Sequence, residues 1–211
     1  MSNAAKWMSI LTVVFGCGGT AAPHPAVGPA NPTAQPPAPA EPKEWPALRS
    51  EAAASDAPAG LNQFGRLAGT WACTTEQRQP DGTWKAGPGT ATWTWFYTLG
   101  GLAVQDIWEP VTGAVGTNLR VYDAAEDAWQ IQWVTGALTK FQHITAKADG
   151  ENIVMHSDAP AAGPIPAHAS RTTFFDIAAD KFEWKYEATK LGTDTNWTEF
   201  SRLHCSKRRT R

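Results

Sequence analysis

The chain has few cysteines, no long hydrophobic run and no excess of either charge, and each shortage closes off a class of protein. Three cysteines in 211 residues leave room for one disulfide at most. The formal net charge is -2, so no overall field steers the molecule toward nucleic acid. The basic end formed by Lys207, Arg208, Arg209 and Arg211 reads as a solvated tail and not as a phosphate contact. The apolar run WMSILTVVFG near the N-terminus is far short of the ~20 residues that a membrane-spanning helix needs. No G-x-S-x-G, H-E-x-x-H, phosphate-cradling glycine loop or paired-carboxylate motif occurs, which lowers the expectation of an enzyme. No metal or other cofactor is expected. After residue 60 there is also no helical periodicity of any length.

Tryptophan, by contrast, is abundant. There are eleven, and all but Trp7 and Trp45 lie after residue 70, which places the core in the second two-thirds of the chain. The stretch GTNLRVYDAAEDAWQIQWV, residues 116–134, shows period-two alternation on both sides of an acidic turn and reads as a β-hairpin. A three-residue loop between Asp123 and Asp127 sets Val121 opposite Trp129, Leu119 opposite Ile131 and Thr117 opposite Trp133. Asn118, Arg120, Tyr122, Gln130 and Gln132 then fall on the wet face.

Along the chain, residues 1–20 read as an export signal: Lys6, a short apolar stretch, then Val14-Phe15-Gly16-Cys17. Residues 21–60 are rich in Pro and Ala, lack apolar periodicity and read as an extended tether. Residues 61–207 form the folded domain, and 208–211 the basic tail. Gly69, Trp71 and Cys73 open a first strand that ends at Pro80-Asp81-Gly82. Gly100-Gly101 joins the next two strands, with Tyr97 facing Val104, Trp95 facing Asp106 and Trp93 facing Trp108. Asp149-Gly150 is a type I′ signal that sets Ile144 opposite Met155, Ala146 opposite Ile153 and His143 opposite His156. The following hairpin aligns Phe175 with Trp184 and Ile177 with Phe182, and a last strand runs from about Trp197 to Lys207. Sequential hairpins with one aromatic face must hide their edges. The expected fold is therefore all-β, an antiparallel up-and-down meander barrel of about eight to ten strands, with an open sandwich as the alternative.

Four resemblances go with this reading. V-F-G-C at residues 14–17 resembles the bacterial lipobox, which implies lipidation of Cys17; a plain signal peptide cut elsewhere is the alternative. Gly18 after the cysteine resembles lipoproteins passed on to the outer membrane, implying an envelope location with the domain facing the periplasm. Gly69-x-Trp71, with a late arginine such as Arg202, resembles the lipocalin (calycin) pattern. The runs GGLAVQDIW and GTNLRVYD, with the Trp129, Gln132, Trp133, Val134 cluster, are similar to an uncharacterised family of exported bacterial lipocalin-like barrels. Haem-binding barrels of the nitrobindin type open with G-x-W-x-G-x-G, a pattern that fails here because Cys73 follows Ala72.

Candidate site residues come from the aromatic face: Trp93, Trp95, Tyr97, Asp106, Trp108, Trp133 and Trp184. Asp106 is the titratable group among them. It is either kept for a ligand or satisfied by Trp95, Tyr97 or backbone, or turned out by a bulge, and no partner for acid–base chemistry is identifiable. His143 and His156 supply at most half of a metal site. The expected function is binding of a small apolar or amphipathic ligand inside the barrel. A self-filled structural barrel and, less favoured, an enzyme using Asp106 remain as alternatives. If Cys17 is lipidated, Cys73 and Cys205 form an even pair in an oxidising compartment. They lie on the first and last strands, so barrel closure would join them in a disulfide.

Overall fold

The computed structural model describes residues 48–137, 140–159, 161 and 166–208. The lipobox, Cys17, the signal segment, most of the tether and the tail after Arg208 lie outside the described residues.

The alternation read from the sequence forms strands that pair in a closed circle. In chain order they are β1 (Arg49–Ser50), β2 (Gly69–Arg78), β3 (Trp84–Thr98), β4 (Ala103–Glu109), β5 (Gly116–Asp123), β6 (Ala128–Thr135), β7 (Gln142–Asp149), β8 (Asn152–Ala159), β9 (His168–Phe175), β10 (Lys181–Lys190) and β11 (Thr198–Lys207). Strands β2 to β11 each pair antiparallel with the next, and β11 pairs back onto β2. The result is a ten-stranded up-and-down meander barrel, consistent with a lipocalin-like barrel. The sandwich is excluded, because closure leaves neither edge of the ten-strand sheet unpaired. At the seam Cys205 stands opposite Cys73, and the two form a disulfide with Cα atoms 4.1 Å apart across 132 residues of sequence.

The folded unit starts earlier than residue 61. β1 pairs with the end of β3, and residues Ala59–Leu61 form a 3-10 turn that leads into the short helix α1 (Asn62–Gly65). This segment closes one end of the barrel, burying Leu61, Phe64 and Leu67. Phe64 sits edge-on to Trp129 and Phe174, Trp71 donates its indole N–H to Leu67 O at 2.7 Å, and Trp129 donates to Gln63 Oε1 at 2.8 Å. Gly65 permits the approach: a Cβ there would lie 2.2 Å from the Tyr97 hydroxyl.

Four expected pairings can be compared with those found. The β3–β4 register is as read, with Trp93 opposite Trp108, Trp95 opposite Asp106 and Tyr97 opposite Val104, although the connection is a 3-10 turn, Leu99–Gly101. The β5–β6 register differs by one. Tyr122 faces Trp129, Arg120 faces Ile131 and Asn118 faces Trp133, across a four-residue turn that ends at Asp127 with φ 46. Arg120, Asn118 and Tyr122 therefore point inward, and Leu119 and Val121 outward. Apolar patterning alone favours the other register, and a polar partner inside the barrel overrides it, as described below. In β7–β8 the apolar face is as expected, but the register moves by two. Ala146 pairs with Met155 and Ala148 with Ile153, because the two loop residues are Gly150 and Glu151. His156 consequently faces Thr145 and not His143. In β9–β10, Phe174 and not Phe175 faces Trp184, and Phe175 faces Glu183 on the outside. Both faces of that strand carry aromatics, so alternation could not choose between them. Arg202 lies over Trp84 at 4.0 Å, and Lys207 lies over Trp71 at 5.3 Å.

Candidate functional site

The barrel interior falls into two halves with different chemistry. The half next to α1 is solid. Phe64, Trp71, Trp93, Trp95, Trp129, Phe174 and Phe182 are buried and interlock through stacked, tilted and edge-on contacts with centroids 4.8–5.9 Å apart.

Within this mass sits a charge pair. Asp106 and Arg120 are each 0% exposed, with Arg120 Nη2 2.6 Å from Asp106 Oδ2. Asn118 donates to the same carboxylate from its backbone N–H at 3.1 Å and from its side-chain amide at 3.1 and 3.3 Å. The guanidinium lies between two π-faces, 4.2 Å from the Trp95 centroid and 4.7 Å from that of Phe64. These faces take the place of water over the cation. Burial pushes the Arg120 pKa below its ordinary value, and the charge and hydrogen bond of Asp106 act against that. Arg120 Nε and Nη1 and the indole N–H groups of Trp93 and Trp95 are buried without an acceptor among the described residues. Asp106 is thus locked between Arg120 and Asn118 with no access to solvent.

The other half is amphipathic. Trp108, Trp133 and Trp184 point inward and keep partial exposure. Trp133 has room because its neighbour on β5 is Gly116, where a Cβ would lie 2.2 Å from the indole. Across the interior, β7 to β10 present a line of hydrogen bonds. Gln142 Nε2 donates to Ser157 Oγ at 3.0 Å, Ser157 Oγ meets Ser170 Oγ at 2.8 Å, and Ser170 Oγ donates to Ser157 O at 3.1 Å. Next to them, His168 Nε2 lies 2.9 Å from the Tyr186 hydroxyl while its Nδ1 lies 3.0 Å from Pro166 O. The carbonyl can only accept, so in the neutral ring Nδ1 carries the proton and Nε2 accepts from Tyr186. Burial raises the Tyr186 pKa above 10, with Ser170 opposing.

The seven residues singled out from the sequence all belong to the inner wall: Trp93, Trp95 and Asp106 are buried, and Tyr97, Trp108, Trp133 and Trp184 are partly buried and pack against the same core, Trp108 and Trp184 touching Trp93. His143 and His156 are on the outer face, His143 hydrogen-bonded to Gln132 and His156 beside Trp197. Among the described residues no group of three or more His, Cys, Asp or Glu side chains is placed to hold a metal. Sequence reading missed Arg120 and Asn118 as interior residues, and the line Gln142, Ser157, Ser170, Tyr186 and His168. The signal for Arg120 was Asp106 itself, since a carboxylate on an apolar face calls for a cation on a neighbouring strand. Compared with known family models and with curated protein sequences, the chain finds no match in either.

Proposed function

We propose that this protein is a binding barrel for a small amphipathic ligand, held in the half of the barrel away from α1. The observation that carries this reading is the division of the interior. One half is packed solid, whereas in the other three tryptophans stay partly exposed opposite a polar line on β7 to β10. Exposed indole is unfavourable in water by about 25 cal/mol per Å², so a ligand that covers it gains that amount. The polar line gives the ligand orientation, as in binding sites where a few polar groups are set in apolar walls.

The same reading places the barrel on an envelope lipoprotein, with Cys17 lipidated and residues 21–47 as spacer, on the outer membrane facing the periplasm. The Cys73–Cys205 disulfide supports an oxidising compartment. In this setting the barrel captures or passes on an amphiphile at the membrane surface.

The test is titration of the folded protein with medium-chain amphiphiles, followed by intrinsic tryptophan fluorescence, alongside native mass spectrometry of protein purified from its own envelope. Saturable binding is expected, weakened about tenfold in Trp133→Ala, the loss that ~1.4 kcal/mol of contact produces. No saturable binding and no bound molecule would leave the self-filled structural barrel as the correct reading. For the anchor, Cys17→Ser is expected to move the protein from the membrane fraction to the soluble fraction. A variant that still sediments with membranes would exclude the lipid anchor.

A further inference from the structure

The barrel wall parts between β7 and β8. Their ladder runs from Asp149 opposite Asn152 only as far as Thr145 opposite His156, although β7 begins at Gln142 and β8 continues to Ala159. Past that point each strand stays with its other neighbour. Gln142, His143 and Ile144 pair with β6, while Ser157, Asp158 and Ala159 pair with β9. A cleft of about 760 Å³ occupies the parting. Its lining combines side chains from both faces of the sheet: Gln142, Ser157 and Ser170 from the inside, and His156, Asp158 and Trp197 among those from the outside. The cleft thus lies where the two faces of the sheet meet, beside the polar line of Gln142, Ser157 and Ser170.

The chemistry of this cleft is selective. Phe141, at its rim, is 71% exposed, and Trp197 forms part of its wall. Gln142 spends one amide N–H on Ser157, which leaves its carbonyl and second N–H for the cleft it lines. Asp158 and His156 add acceptors, and Lys140 adds a donor, while His143 Nδ1 is already occupied as acceptor for Gln132 Nε2. Lys140 and Asp158 carry opposite charges, so the cleft has no net field to attract an ion of either sign. Aromatic faces beside mixed donors and acceptors suit a group with apolar C–H faces and several hydroxyls.

We infer that this cleft is a head-group subsite for the uncharged, polyhydroxylated head of an amphiphile, such as a sugar. The apolar part would enter at the parting beside Gln142, whose partner on β6 is Trp133. The inference rests on the binding-barrel reading and names the ligand class for it.

The experiment compares three probes of equal chain length below their micelle concentrations: octyl glucoside, octanoate and octyltrimethylammonium. Octyl glucoside is expected to bind at least about tenfold more tightly than either ion, equivalent to one well-made hydrogen-bonded contact. Phe141→Ala and Gln142→Leu are each expected to lose about tenfold for octyl glucoside and to keep the wild-type melting temperature, and Phe141→Ala to change octanoate binding less than twofold. Phe141 is so exposed that its removal disturbs no core. Equal affinity for the three probes, or unchanged octyl glucoside binding in both variants, would overturn the head-group subsite and leave the binding barrel standing. Absence of binding by all three would overturn both.

Discussion

The residue with the largest consequence is Arg120. A buried cation is tolerated only with a counter-charge and good geometry, and replacing both partners by apolar groups is often neutral, whereas removing one costs about 3–5 kcal/mol. Asp106→Asn and Arg120→Met are each expected to lose that amount in urea denaturation, and the double variant Asp106→Leu/Arg120→Met to lie closer to wild type than either. Additive losses in the double variant would show that the two side chains do not act as a pair. A second residue-scale feature is on the outer face. His204 Nδ1 lies 2.5 Å from Glu183, and its Nε2 lies 3.3 Å from Glu76. Burial of the ring is the largest single influence and lowers its pKa, but the hydrogen bonds and charges of Glu76 and Glu183 together raise it above 6.5. A raised folded pKa means that protonated His204 stabilises the fold fully below 6.5, and that this contribution disappears as pH climbs through the higher folded value. The pair is partly solvated, so the effect stays below about 1 kcal/mol. Stability should therefore decline slightly from pH 6 to pH 8 in the wild type, and the decline should shrink in His204→Gln. A pH profile identical in the two proteins would contradict the assignment.

At the scale of the element, the β5–β6 hairpin shows how one residue of register decides which side chains reach the core. Val121 is 45% exposed, and Trp129, across the strand pair, is fully buried. Val121→Lys is accordingly expected to change stability by no more than ~0.5 kcal/mol, the range of ordinary surface substitutions. Trp129→Ala is expected to cost about 3–5 kcal/mol through the cavity it opens. Both follow from denaturation midpoints. A severe loss in Val121→Lys would restore the register that pattern alone favours.

For the whole molecule, closure is the central fact. The first and last strands of the barrel meet at a seam that the Cys73–Cys205 bond fastens. Cross-linking residues 132 apart contributes roughly 5 kcal/mol in the chain-entropy model, an upper value because unfolded-state structure reduces it. Cys73→Ala/Cys205→Ala is expected to unfold at clearly lower urea concentration while keeping its β-sheet circular dichroism, since the β2–β11 ladder remains. Two freely alkylated thiols in denatured protein from the envelope would show that the bond does not form there.

Much of this architecture was already present in the sequence. The alternation in residues 90–98 and 103–109, with the paired glycines between them, determined the β3–β4 register, and sequential hairpins with one wet face required an edge-free sheet. The same closure argument brought Cys73 to Cys205. These conclusions rest on local periodicity and on the need to satisfy strand edges, both of which can be read along one dimension. The inward turn of Arg120, the choice of Phe174 over Phe175 and the parting of β7 from β8 were decided only in the tertiary structure. Each depends on a partner from a strand not adjacent in the chain or on competition between two faces. Arg120 points inward because Asp106 on β4, Trp95 on β3 and Phe64 before β2 surround it there, and that balance exists only once the barrel has closed.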